Sequence, residues 1–369
     1  MDSPYANLPP RSFWRSGVSD THPLTVKDLY RKKFAIGQGD KIATAGSCFA
    51  QHVTRFLRSH GFSLLDVEPP PEIVTDRIAR TLGYKTFSAR YGNIYSVRQL
   101  LQLAQDAETG FVDPGNVWVK DGRFYDALRP NIEPDGFHSA EEVLALRADH
   151  LSKVKRLFRE MNIFIFTFGL TEAWIDSRNG RVFPTAPGTI AGTFDPSVHA
   201  FHNFGFDEIR SDFIAFLDLV RRNNPDLKVL LTVSPVPLTA TAGDDHVLVA
   251  TTYSKSVLRA VAGVLAQGHD FIDYFPSYEM IASPWTRGFF YEANLRGVNM
   301  GGVDAVMRIF FEQHGGLKKP VAEPEPARRI SIAAGARPRA KENAGTADPA
   351  KDDADEVVCE DILLEAFSR

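Results

Sequence analysis

Ser47 stands where a short apolar run ends and a segment with helical spacing begins, in the stretch KIATAGSCFAQHV at positions 41–53. A serine at such a junction can attack an acyl carbonyl if a base takes its proton, and backbone N–H groups at the start of the helix can hold the developing oxyanion. Serine is also a favoured helix cap, which is the simpler interpretation. The sequence predicts a nucleophile and leaves the cap open as the alternative.

Other residues that can do chemistry follow the later apolar runs. They are Gly169, Thr171, Glu172, Asp244, Asp245, His246 and Arg296. Because parallel strands end at one edge of a sheet, where ligands bind, we expect these residues to approach Ser47. His246 is the candidate base, with Asp244 and Asp245 as its orienting acids, and Arg296 is a candidate for binding an anionic substrate group.

The pattern of apolar residues predicts the elements that position these groups. Continuous apolar runs typical of buried parallel strands occur at 41–45, 163–168, 228–233 and 270–275. Segments with helical spacing occur at 139–160, 207–222, 252–267 and 302–313. Within the third helix, Ser254 and Lys255 are predicted to lie on the solvent face. The alternation predicts an α/β fold, a three-layer α/β/α sandwich with a mostly parallel sheet and two long insertions, 62–138 and 170–206.

Composition shifts divide the chain into four parts. Residues 1–35 are predicted to be an N-terminal extension, and 36–314 form the folded domain. Residues 315–355 are rich in Pro, Ala and charged residues with few large apolar ones, which predicts a disordered linker. Residues 356–369 regain an apolar stripe, which predicts a short C-terminal helix that docks on the body or on a protein partner.

The overall composition excludes several functional classes. A net charge of -4 gives no basic face for nucleic acid. The two cysteines, Cys48 and Cys359, make neither a disulfide framework nor a metal site, and Cys48 is expected in the core. His199 and His202 are a second choice of base and lack a third metal ligand. No Gly-rich phosphate loop, signal peptide or run of about 18 apolar residues is present, so we expect a soluble cytoplasmic protein without cofactor or metal.

Several stretches together resemble one known family. "AGSCFA" at the Ser47 junction occurs with "ARYGNIYSVRQL" (89–100), "TFGLTEAW" (167–174) and "TVSPVPL" (232–238). From Ile42 to Gln313 the chain resembles the GSCFA family, a branch similar to the SGNH/GDSL hydrolases. The resemblance implies an SGNH- or flavodoxin-like sandwich and a serine esterase or O-acyltransferase with Ser47 as nucleophile. It also implies an acyl ester as substrate, on a small molecule or a carbohydrate.

The resemblance also suggests where the oxyanion donors lie. The stretch "RYGNIY" matches the second block of the family, so Gly92 or Asn93 is a candidate donor, together with the amide at Gly169. The third block of SGNH enzymes presents an asparagine. Thr171 or Glu172 stands in that place here.

One departure from the family pattern concerns the base itself. SGNH enzymes and many GSCFA relatives carry Asp-x-x-His before the last helix, where this chain has Asn294 and Gly297. A serine hydroxyl without a base is a poor nucleophile near neutral pH. The sequence therefore leaves two hypotheses. Either His246 replaces the missing histidine, or the chain is a catalytically degenerate binding or scaffold protein.

Overall fold

A central sheet of four parallel strands organises the computed structural model, which describes residues 3–315 and Leu364. The strands in chain order are β1 (Ile42–Gly46), β2 (Val117–Lys120), β3 (Arg123–Asp126), β4 (Ile163–Phe168), β5 (Glu172–Asp176), β6 (Arg181–Phe183), β7 (His199–Asn203), β8 (Lys228–Val233) and β9 (Ile272–Tyr274). The central sheet has the order β1-β4-β8-β9, and all of its pairs are parallel. The four predicted apolar runs are therefore its four strands.

Eight α-helices surround the sheets within the described residues. They are α1 (Cys48–Ser59), α2 (Asp76–Thr81), α3 (Val97–Thr109), α4 (Ala140–Glu160), α5 (Phe206–Arg221), α6 (Val247–Gly268), α7 (Ser277–Ala282) and α8 (Met300–His314). The helix predicted at 139–160 begins as the sequence indicates, because the Ser139 hydroxyl accepts a hydrogen bond from the Glu142 N–H. The helix predicted at 252–267 begins five residues earlier, at Val247.

The two faces of the central sheet bury separate apolar clusters. On one face, Ile42 and Ile165 pack with side chains of α1, α7 and α8. On the other, Phe164 and Phe166 pack with side chains of α3, α4, α5 and α6. Alternate residues along β1 and β4 thus point to opposite layers. The predicted three-layer α/β/α sandwich is confirmed.

The path of the chain reverses direction between β1 and β4. After α1 the chain returns to the outer edge of β1, where Leu64 makes a parallel bridge to Ile42. It then crosses to β4 on the opposite side of β1. In open parallel sheets such a reversal leaves a crevice at the carboxyl ends of the two strands, which is the usual place for a ligand. Here those ends carry Ser47 and Gly169.

The two insertions form small sheets of their own. The first, 62–138, contains α2, α3 and the antiparallel pair β2-β3. The second, 170–206, forms an antiparallel sheet in the order β6-β5-β7 directly after the central strand β4. It continues the chain from the carboxyl edge of the central sheet.

The structure describes nearly all of the N-terminal extension but little of the chain after residue 315. Within the N-terminal extension, Val26 and Tyr30 are buried in the cluster that contains α8. The predicted disordered linker and C-terminal helix lie outside the described residues, apart from Gly315 and Leu364. Across the described ranges, no helix has the length and apolar character needed to span a bilayer.

Candidate functional site

Gly46 explains why a glycine precedes the serine. It is the last residue of β1, pairs with Thr167 of β4 and has a φ of 140°. A Cβ atom at this position would lie only 2.5 Å from the Thr167 carbonyl oxygen. Only a residue without a side chain lets the two strands approach this closely, and this backbone conformation disfavours other residues. The glycine therefore sets the direction in which the chain turns into α1.

The Ser47 hydroxyl is buried and has no partner among the described residues. Ser47 occupies the cap position of α1, but its side chain accepts no hydrogen bond from the helix N–H groups. The residue is 2% exposed, and its Oγ atom makes no hydrogen bond within the described structure. Buried polar groups are nearly always satisfied, so an orphaned hydroxyl requires an explanation. The simple cap does not provide one.

Gly169 lies directly against Ser47. A Cβ atom on Gly169 would be 2.9 Å from the Ser47 Cβ and 2.9 Å from the Tyr95 carbonyl oxygen. The Gly169 N–H, a predicted oxyanion donor, donates to that same carbonyl at 3.2 Å, and the Ser47 N–H faces the Thr167 carbonyl at 3.4 Å. Both amides are thus engaged in this state of the protein, the second only weakly because its bond is long.

Asn93 is tied to the same junction. The N–H of the next residue, Ile94, donates to the Gly46 carbonyl at 2.9 Å. The Asn93 Oδ1 accepts from Gln51, one turn after Ser47 on α1, at 3.0 Å, and its amide nitrogen donates to the Tyr95 hydroxyl at 3.3 Å. Gly92, Asn93 and Gln51 also line a small cavity of about 30 Å³. The second predicted block therefore meets the serine junction, as the sequence indicates.

The prediction that Ser254 and Lys255 face solvent is wrong. Both are buried, at 0% and 1% exposure, because the apolar stripe of α6 passes through them. The Ser254 hydroxyl accepts from the Thr171 N–H at 3.1 Å, and the Lys255 ammonium donates to the Gly169 carbonyl at 2.7 Å. These two side chains hold the backbone that follows β4, and they belong to the site. Ser254 and Lys255 follow the regular spacing of the buried residues along α6, and this spacing could have identified them as buried.

Comparison of the sequence with protein-family profiles shows which family the domain belongs to. The sequence profile of the GSCFA family matches residues 41–310. The chain belongs to the GSCFA family. No curated protein and no solved structure matches it.

The predicted base of this GSCFA protein is not joined to Ser47 in the structure. His246 is exposed at the start of α6, where its Nδ1 accepts a hydrogen bond from the Leu248 N–H at 3.1 Å. Asp244 and Asp245 are exposed in the preceding loop. Because the Ser47 Oγ has no hydrogen bond to any described residue, it has none to His246. The role of His246 stays a prediction.

The second choice of base also has other partners. His202, on β7, contacts the Glu208 carboxylate at 2.9 Å, and the Nδ1 of His199 accepts from the Asp195 N–H at 3.0 Å. Among residues 3–315, no three His, Cys, Asp or Glu side chains form a group that could hold a metal ion. Cys48 is buried, in line with the expectation that it belongs to the core.

The loop at Asn294 is shaped by a local turn. The Asn294 Oδ1 accepts hydrogen bonds from the N–H groups of Arg296 and Gly297, both at 2.9 Å. Asparagine commonly stabilises turns in this way. Asn294 thus has a structural role in this loop. The Arg296 guanidinium makes no hydrogen bond to the Ser47 hydroxyl, so its predicted role toward an anionic substrate group stays a prediction.

Thr171 and Glu172 are neighbours in sequence but differ in burial and in hydrogen-bond partners. Thr171 is fully buried, and its hydroxyl, like that of Thr167, has no hydrogen-bond partner within the described part of the chain. Glu172 is half-buried and accepts a hydrogen bond from Thr241 at 2.8 Å. Burial raises the pKa of the Glu172 carboxyl, partly opposed by that hydrogen bond. Thr171 is therefore held against α6, where Ser254 binds its N–H, whereas Glu172 lines a separate cavity.

That cavity has a volume of about 220 Å³ and lies beside the junction. Its lining residues are mostly apolar and include Leu170, Trp174, Phe183, Phe201 and Leu238. Glu172 is the one charged residue that the described chain contributes to the lining, and Ser47 is not part of it. Tyr95, whose carbonyl binds Gly169, lines the cavity and connects it to the serine.

Proposed function

We propose that this GSCFA protein is a serine-dependent acyl-ester hydrolase or O-acyltransferase, with Ser47 as its nucleophile. The observation that carries the proposal is the buried Ser47 hydroxyl at the carboxyl edge of β1, which no described residue satisfies. It stands at the start of α1, where the helix dipole favours a developing negative charge. Gly169 lies directly against it, and the Lys255 ammonium holds the Gly169 carbonyl.

The proposed reaction forms an acyl-enzyme. The Ser47 oxygen bonds to the ester carbonyl carbon, a base takes the hydroxyl proton, and the leaving alcohol receives that proton as the C–O bond breaks. Water or an acceptor hydroxyl then releases the acyl group. For His246 to serve as the base, its loop has to carry the ring to Ser47, since no hydrogen bond joins them in this state. A carbohydrate ester as substrate rests on the resemblance to SGNH enzymes alone.

A second candidate function is that of a binding protein without catalysis. It is favoured by a specific observation: Asn294 and Gly297 stand in place of the acid and histidine, and no imidazole of the described residues hydrogen-bonds to the Ser47 Oγ. In that case the orphaned hydroxyl would contact a bound ligand and would not react with it.

Hydrolysis of p-nitrophenyl acetate distinguishes the two functions. The wild type is expected to turn over the ester, and Ser47→Ala to lose about 10³-fold or more in kcat/KM. His246→Gln is expected to lose activity as well if this imidazole is the base. Ser256→Ala, which changes an exposed serine of α6, is the matched control and should keep full activity. An inactive wild type, or an active Ser47→Ala, would reject the esterase and leave the binding protein.

A further inference from the structure

The 220 Å³ cavity beside the serine junction is bordered by a residue from the far end of the chain. Leu364 lines this cavity together with the aromatic residues Trp174, Phe183 and Phe201. Leu364 is also half-buried, and it is the one residue beyond Gly315 that the structure describes. An aliphatic side chain from the far end of the chain thus lines the same cavity as these aromatic residues.

The space that remains beside Leu364 is small for a whole ligand. Pockets for drug-sized ligands usually enclose about 300–1,000 Å³, and this one is smaller. The described part of its lining offers apolar surface and a single carboxylate, Glu172, which matches an aliphatic group. Docking a leucine side chain there removes apolar surface from water, and this favours the docked state.

The C-terminal sequence has the pattern of a docking segment. In EVVCEDILLEAFSR, at 356–369, short apolar runs (VVC, ILL and AF) are separated by acidic residues. Residues 316–363 connect Gly315 to Leu364, and an extended chain of that length spans roughly 150 Å. The segment can therefore reach the cavity from the end of α8. A tether of this kind makes docking intramolecular, which raises the effective concentration of the segment at the cavity.

We propose that the aromatic cavity is the docking site of the chain's own C-terminal segment, residues 356–369, with Leu364 as the anchoring side chain. The docked segment lies next to the serine junction, because Tyr95 lines the cavity and its carbonyl binds Gly169. Docking stands independently of the proposed esterase activity, since the cavity does not include Ser47.

Competition by a labelled peptide tests the docking. A fluorescein-labelled peptide of residues 356–369 is titrated with three full-length proteins and followed by fluorescence anisotropy. Leu364→Asp should bind the peptide at least about tenfold more tightly than the wild type, because in the wild type the tethered segment competes with the peptide for the cavity. Leu248→Asp, at an exposed leucine of α6, should behave as the wild type does.

Two further measurements test whether the peptide binds in the cavity and whether the segment docks within one molecule. Adding Trp174→Ala to Leu364→Asp should abolish peptide binding, which places the peptide in the cavity. Equal affinity of the wild type and Leu364→Asp, or no binding to either, would overturn the proposal. A dimeric wild type and a monomeric Leu364→Asp by light scattering would also overturn it, because the segment would then dock on a second copy.

Discussion

Two glycines determine where the Ser47 side chain lies. Gly46 allows β1 and β4 to approach so closely that a Cβ atom would meet the Thr167 carbonyl oxygen. Gly169 leaves the room in which the Ser47 Cβ sits. The hydroxyl is therefore held by the backbones of two neighbouring strands, although its own oxygen makes no hydrogen bond to any described residue. Such a fixed, unsatisfied group is suited to a ligand or a reacting atom.

Gly169→Ala should destabilise the protein by about 1–3 kcal/mol, since the new methyl group overlaps Ser47 and Tyr95. Gly268→Ala is the matched control. It lies at the end of α6, where no described atom comes within 4 Å of the position that its new methyl group would take, so it should be neutral or slightly stabilising. Urea denaturation measures both. Equal stabilities of the two variants would show that Gly169 does not pack against the serine as described.

Among the individual residues, part of the site was predictable and part was not. Ser47 and Gly169 converge because each follows the carboxyl end of a strand, which the pattern of apolar runs predicts, whereas Asn93 is a candidate from the family resemblance alone. The position of His246 could not be predicted, because it depends on where α6 begins. The helix starts at Val247, so His246 becomes a cap that binds the Leu248 N–H, and its ring is exposed.

Helix α6 shows how an element supports the site with polar residues on its buried face. Ala250, Ser254, Leu258, Val261 and Leu265 follow one another at intervals of three or four residues, and all are buried. The serine in this stripe binds the Thr171 N–H. This polar residue inside the apolar stripe of α6 therefore supplies an acceptor to a backbone N–H that would otherwise lack one.

Ser254→Ala should lower the free energy of unfolding by about 1–3 kcal/mol, because the buried Thr171 N–H loses its acceptor. Ser256→Ala, two residues along the same helix and exposed, should change it by less than about 0.5 kcal/mol. Thermal or urea unfolding of the pair provides the comparison. A Ser254→Ala variant as stable as Ser256→Ala would mean that the Thr171 N–H finds another partner.

The elements themselves were predictable to different degrees. The four central strands are buried on both faces, so each appears in the sequence as a continuous apolar run. The antiparallel sheet of β5, β6 and β7 was not predicted. Most residues of β5 and β7 are only half-buried, so neither strand forms a continuous apolar run. An insertion that folds against the edge of a domain leaves a weaker pattern than its core.

For the molecule as a whole, buried histidines limit stability in acid. His52 on α1 and His314 on α8 are buried, and desolvation lowers the pKa of each to about 4, with a smaller contribution from Arg55 and Lys32 respectively. In the unfolded chain a histidine has a pKa of about 6.5. Between these values the unfolded state binds more protons than the folded state, so stability falls as the pH falls from about 6.5 towards 4.

The free energy of unfolding should therefore decrease measurably between about pH 6.5 and pH 5, and His52→Gln should reduce that slope. His22→Gln, at an exposed histidine of the N-terminal extension, should leave the slope unchanged. Urea denaturation at intervals of about half a pH unit gives the three slopes. A wild-type slope of zero across this window, or an unaltered slope in His52→Gln, would show that the buried histidines do not set the acid stability.

Whether the whole molecule brings a base to its buried serine is the central question, and covalent labelling answers it most directly. The folded protein is incubated with a fluorophosphonate, and the tryptic peptide 42–55, which contains Ser47, is examined by mass spectrometry. We expect one adduct on Ser47 in the wild type and in Ser256→Ala, and none in Ser47→Ala. An unmodified wild type, or an adduct that persists in Ser47→Ala, would rule out Ser47 as the nucleophile.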